Sequence, residues 1–187
     1  MIPASAQKII DFWFKETPSE LHFKKDENLD QKIKDKFLKD HESASQNKYD
    51  DWQDSPMSCL ALVIIFDQFS RNIFRNNKKA FAQDYKARLI VNEAVYSGYL
   101  ETINESQRLF MILPLIHSEE INDHDMAYYL LNKYLKDYPD YNQIKKLWKD
   151  HTNIIKRFHR YPHRNQILER SSTNEEIEFL KISNSSW

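Results

Sequence analysis

At 187 residues and a formal net charge of −1, the chain is long enough to bury a sizeable core as one domain, and it carries no bulk attraction for nucleic acid or anionic lipid. Its single glycine, Gly98, removes whole classes of function: a Walker loop, a dinucleotide fingerprint and a Gly-x-Ser-x-Gly elbow all need glycines for tight turns or close backbone approach. Few glycines, six prolines, and Lys, Glu, Gln, Leu and Ala at helical spacings predict an all-α chain of about eight helices in stacked antiparallel hairpins, one domain over 1–182 with a frayed tail at 183–187.

Ile9, Ile10, Trp13 and Phe14 place a stripe on a first helix from Ser5 to Lys15, which Pro18 ends. Asn28 and Gln31 predict the cap of a second, whose Leu29, Ile33 and Phe37 form the buried side. Tyr49 and Trp52 sit in a short polar connection and read as packing anchors. The stretch from Pro56 to Arg75 is the one around which the others are expected to assemble, with Asp54 and Ser55 to cap it and Pro56 at its first position. Every residue from Cys59 to Phe66 is apolar, so this half is buried on all sides. Beyond it, Asp67, Gln68, Arg71, Asn72 and Arg75 fall on an arc of about 140°, charge at the end of a helix whose other half is deep inside. Such groups must be paired, hydrogen-bonded or facing a wet cleft.

After Asn76 and Asn77, either a cap, the residues Ala80, Phe81, Tyr85, Leu89 and Val95 predict a long helix stopped by Gly98. Asn104 and Gln107 open the next, which Pro114 is expected to kink or interrupt. Residues 121–138 carry Tyr128, Leu131 and Leu135 up to Pro139. Asp140 and Gln143 then cap a helix to about Arg160, where Pro162 pushes Tyr161 out of helical geometry. Thr173 with Glu176 is a capping box for a last short helix. The longest apolar run, eight residues, is too short to span a bilayer; no leader pattern opens the chain, and lone Cys59 cannot form an internal disulfide. A cytoplasmic, membrane-free protein is expected.

Charge is unevenly spread. Residues 101–144 hold three Lys/Arg against eight Asp/Glu, and residues 145–170 hold eight against two, with His151, His159 and His163 in addition. Either the two segments neutralise each other within the fold, or the second is a basic mouth on a pocket. His117 and Glu120 are spaced to share a metal ion, but His124 lies about 10.5 Å further along the helix, so no metal site and no cofactor is expected. His117, Ser118 and Glu119 are neighbours that diverge by about 100° and cannot form a relay among themselves. Arg160, His163, Arg164 and Asn165 flank Pro162, where arginine forks suit carboxylate or phosphate and a histidine can move a proton.

The strings Phe12-Trp13-Phe14, Asp67-Gln68-Phe69-Ser70-Arg71-Asn72, Pro114-Leu115-Ile116-His117-Ser118-Glu119 and Arg157 through Asn165, together with Ser172-Thr173 and the later Glu175 and Glu176, resemble the uncharacterised bacterial family catalogued as domain of unknown function 924. The resemblance covers nearly the whole chain. It implies a tetratricopeptide-like, all-helical, cytoplasmic protein and no activity that can be carried over. His159 and Glu169 stand where the family usually has glycine, and His124 where it tends to have glutamine.

The expectation for function is a cleft into which Asp67, Gln68, Arg71, Asn72, His117, Ser118, Glu119, Arg160, His163, Arg164 and Asn165 converge with surplus positive charge, to bind an anionic small molecule or a peptide carboxylate. Arg71, Arg160 and Arg164 hold the anion, and Asp67 and Glu119 orient them. The alternatives are a hydrolase with His117 or His163 as acid/base and Asp67 or Glu119 as its partner, and a scaffold for a protein partner. Nucleic acid is not expected, since no aromatic-interleaved motif accompanies the basic segment.

Overall fold

The computed structural model describes residues 2–182, and these are all-helical, with eight helices and no strand among them. The tail expected to fray lies outside the described residues. Helix α1 (Ala4–Asp11) buries Ala6, Ile9 and Ile10 and runs on into a π-helical turn, Phe12–Glu16, closed by Thr17 N–H donating to the Phe12 carbonyl at 2.9 Å. Helix α2 (Glu27–Ser45) is capped by Asp26, whose side chain accepts from Leu29 N–H at 2.8 Å. The cap is therefore not Asn28: Asp26 is the residue with extended backbone (φ −141°, ψ 115°), and Asn28 already lies in the first turn.

Helix α3 is the centre. It comprises Pro56–Val63, a π-helical turn at Ile64–Phe69 and a last α-helical turn at Ser70–Ile73. All residues from Ser58 to Ser70 are buried, because α3 packs against α1 and α2 on one side and against α4 (Asp84–Tyr96) and α5 (Glu105–Ile116) on the other. The π turn widens the helix and re-aims the side chains C-terminal to it, which splits the expected polar arc. Asp67 and Arg71 turn toward α4 and α5, while Asn72 and Arg75 both bond Asp30 of α2.

A 3₁₀ turn, Lys78–Phe81, is capped by the Asn77 side chain, and α4 begins only at Asp84. Its buried face is Ala87, Ile90, Val91 and Ala94, whereas Tyr85 and Leu89, expected inside, stand outside. Small alanines let α4 approach α3 closely, and the bulky residues take the solvent side. Gly98 ends the helix in the left-handed region (φ 71°), as expected. In α5 the Asn104–Gln107 capping box closes in both directions at 3.0 Å. Pro114 does not interrupt α5: it removes one donor near the C-terminal end, in a run from Leu109 to Ile116 that is buried throughout. Helices α6 (Ile121–Tyr134), α7 (Tyr141–Phe158) and α8 (Asn174–Leu180) complete the chain, α8 with the expected Thr173–Glu176 box. Among the described residues no helix is long and apolar enough to cross a membrane.

Helix α7 stops at His159, before the expected Tyr161–Pro162 boundary, because His159 adopts the left-handed conformation (φ 56°); Glu169 does the same (φ 58°). At these two positions the resemblance implies a usual glycine, which a left-handed backbone favours. A side chain in this region costs about 1 kcal/mol relative to glycine. His159→Gly with Glu169→Gly is therefore expected to stabilise the chain by about 1–2 kcal/mol, raising Tm by about 2–8 °C in a calorimetric scan. The Lys78–Glu169 ion pair that this removes is exposed and contributes little. An unchanged or lower Tm would refute the strain.

Candidate functional site

The π turn of α3 delivers Asp67 into the interior, where its side chain is only 1% exposed. The carboxylate accepts from the Gln68 amide and from His117 Nδ1 at 2.7 Å, and faces Arg71 Nη1 at 3.1 Å. Burial alone would raise its pKa, but the Arg71 guanidinium and the neighbouring His117 outweigh burial and hold it well below the usual carboxylate range. Arg71 Nη1 also donates to the Asp67 carbonyl at 2.7 Å, and its two Nη atoms grip Asp84, at the start of α4, at 3.1 Å each. Asp84 takes a second guanidinium, Arg164 Nη1, at 3.3 Å. Arg164 Nη2 donates to the His117 carbonyl at 3.0 Å, which closes a ring: Asp67, Arg71, Asp84, Arg164, His117.

Arg164 comes from the 3₁₀ turn Pro162–Arg164 and is buried, its guanidinium 4.7 Å from the Phe81 ring centre and 4.6 Å from that of Tyr161. Its Nε is buried with no hydrogen-bond partner. His117, the C-cap of α5, keeps about a fifth of its side chain open (21%). An ionised carboxylate can only accept, so Nδ1 carries the proton toward Asp67. Nε2 takes no hydrogen bond among the described residues.

Of the expected site residues, Asp67, Gln68, Arg71, His117 and Arg164 come together. Asn72 does not; it belongs to the Asp30–Arg75 cluster. Arg160 is not an anion ligand either: it forks onto Glu176 of α8 at 2.6 and 2.7 Å. Glu119 orients Arg170, at 2.6 and 3.0 Å, and accepts from Tyr161 N–H; it does not hold a ring arginine. Burial raises its pKa, yet Arg170 and the Tyr161 amide bring it below the ordinary value. Asn165 bonds Ser172 and Arg170, and the Ser118 hydroxyl accepts from Glu120 N–H, so both brace the loops around the ring. His163 lies outside the ring, lining a hollow of about 560 Å³ with Asn76, Asn77, Lys78, Gln166, Ile167 and Glu169. Burial, aided by the charge of Arg164, pushes its pKa down to about 3.

The expected surplus of positive charge is absent. Two carboxylates face two guanidiniums, and only a proton on His117 would tip the balance. Asp84, which joins the fork of Arg71 to one Nη of Arg164, is the residue sequence reasoning missed, along with Phe81, Tyr161 and Arg170. His124 spends both ring nitrogens, on Ser118 O at 2.9 Å and Thr152 Oγ1 at 3.0 Å, and among the described residues no group of three or more potential ligands is placed to hold a metal ion.

No curated protein matches the chain. A solved structure of a protein of unknown function from Agrobacterium tumefaciens is similar, at 35% identity and a TM-score of 0.85 over 95% of this chain and 97% of that one. The model of a bacterial family described as of unknown function, DUF924, matches residues 9–184, and the chain belongs to that family.

Proposed function

We propose that the protein is a binding module for a small oxyanion, a carboxylate or a phosphate-like group, held at the His117–Arg164 side of the ring. One observation carries this reading: among the described residues the buried Nε of Arg164 and the Nε2 of part-exposed His117 take no hydrogen bond. Buried polar groups are nearly always satisfied, so an orphaned guanidinium N–H asks for an acceptor. The π turn supports the same reading, since such turns concentrate at functional sites. Asp84 acts as a built-in competitor, an internal carboxylate that holds both Nη atoms of Arg71 and one of Arg164 and so offsets the charge an external anion would use. Hydrolysis is the weaker reading, because among the described residues no nucleophile accompanies His117. Ser70 is fully buried against His41, and the Ser118 hydroxyl is engaged by Glu120 N–H.

The test is a thermal-shift titration with sulfate and with N-acetylglycine. A ligand with a Kd of about 1 mM, present at ten times that concentration, stabilises by about 1.4 kcal/mol, a Tm rise of about 3–5 °C. Asp84→Asn, which removes the internal negative charge that both arginines face, is expected to enlarge the shift several-fold, and His117→Gln to reduce it. Absence of any shift with both anions, in the parent chain and in Asp84→Asn, would remove the proposal.

A further inference from the structure

We infer that the site takes up its anion together with a proton on His117, so that binding strengthens as pH falls. The inference rests on the oxyanion reading above and on the charges of the ring. Asp67 and Asp84 are matched by Arg71 and Arg164, and neither arginine can release charge for a ligand while its carboxylates remain. An anion entering a neutral, largely buried network brings an uncompensated charge, which is expensive. One group can supply the compensation. His117 holds Asp67 through Nδ1 and leaves Nε2 with no partner in the described residues, so a proton arriving at Nε2 makes a cation that donates to Asp67 on one side and to the anion on the other.

The groups facing His117 fit this assignment. From α3 come Asp67 and Arg71, from the C-terminal turn Arg164, and from α4 Asp84 through Arg164. From α6 and α7 come His124 and His151, both near enough for their charges to act on His117. Glu119, next along the chain, is tied to Arg170 and remains ionised. Burial pushes His151 to about 4 and His163 to about 3, and lowers His124 as well, so burial works against a proton on each of the three.

Sulfate is the probe, because its charge is constant near neutrality, with N-acetylglycine as the carboxylate arm. Isothermal titration near pH 6, 7 and 8, each in two buffers of different ionisation enthalpy, is expected to show affinity falling by up to tenfold per pH unit on the alkaline side and heats that track the buffer, as uptake of up to one proton requires. His117→Gln should flatten both dependences, while His163→Gln should leave them intact. The buffer comparison on the unaltered protein stands even where a variant folds poorly. Binding with flat affinity and buffer-independent heats overturns the inference and leaves the oxyanion reading in place; no heat from either anion at any pH overturns both.

Discussion

Replacing Asp67 with alanine is expected to lower stability by about 3–5 kcal/mol, enough to consume a large part of the whole folding free energy of a domain this size. The carboxylate is 1% exposed and is the shared partner of Arg71 and His117, so its removal strands two groups at once. Arg71 retains Asp84, which places the loss toward the lower end of the range. Asp67→Asn keeps the shape and removes the charge, so it separates packing from electrostatics. The acid limb provides a second readout. Asp67 has a folded pKa held below its unfolded value of about 3.9, so its contribution is complete above that value and is lost as pH falls through the folded one. Urea unfolding near pH 7 measures the loss, and the same experiment from about pH 4 down to 2 should give a flatter curve for Asp67→Asn. A change under about 1 kcal/mol for Asp67→Ala would mean that the ring is not a buried network at all.

Patterns with a period are legible in the sequence. The apolar run from Cys59 to Phe66 announces a helix buried on all sides, and the boxes at Asn104 and Thr173 mark starts that the structure reproduces. Contacts between distant segments are not legible in the same way. Asp84 looks like any acidic residue opening a helix, and nothing local shows that Arg71, 13 residues before it, and Arg164, 80 after it, both fold onto it. The π turn is equally invisible, since Ile64 to Phe69 would suit an α-helix; one widened turn then moves Asn72 and Arg75 to another face. Arginines near Pro162 do leave the helical register as expected, but sign of charge alone does not assign their partners. Arg160 can meet Glu176 only because α8 folds back beside the turn. The left-handed sites at His159 and Glu169 have a visible signal, the departure from glycine, and its cause is plain only from the backbone.

Acid should weaken the fold in two separable steps, the first governed by histidine. His41 on α2 is 5% exposed, with Nε2 2.8 Å from the Ser70 hydroxyl on α3 and its ring 5.1 Å from that of Phe74. Burial pushes its pKa down to about 4. The unfolded imidazole titrates near 6.5, so above that pH both states are neutral and the group has no effect on stability. As pH falls through 6.5 the unfolded state gains a proton that the folded state refuses, and the penalty grows until the folded pKa is reached. At about 1.4 kcal/mol per unit of difference, His41 alone is expected to remove about 3 kcal/mol between pH 7 and pH 4. His151 and His163 push the same way, discounted for their partial exposure. His41→Gln, neutral at every pH, should cut that slope by roughly half while leaving the steeper loss below about pH 4 to Asp67. Urea midpoints for both proteins at unit pH intervals decide the matter: parallel curves from pH 7 to 4 would show that the His41–Ser70 contact between α2 and α3 accommodates a charge, and that the acid weakness lies elsewhere.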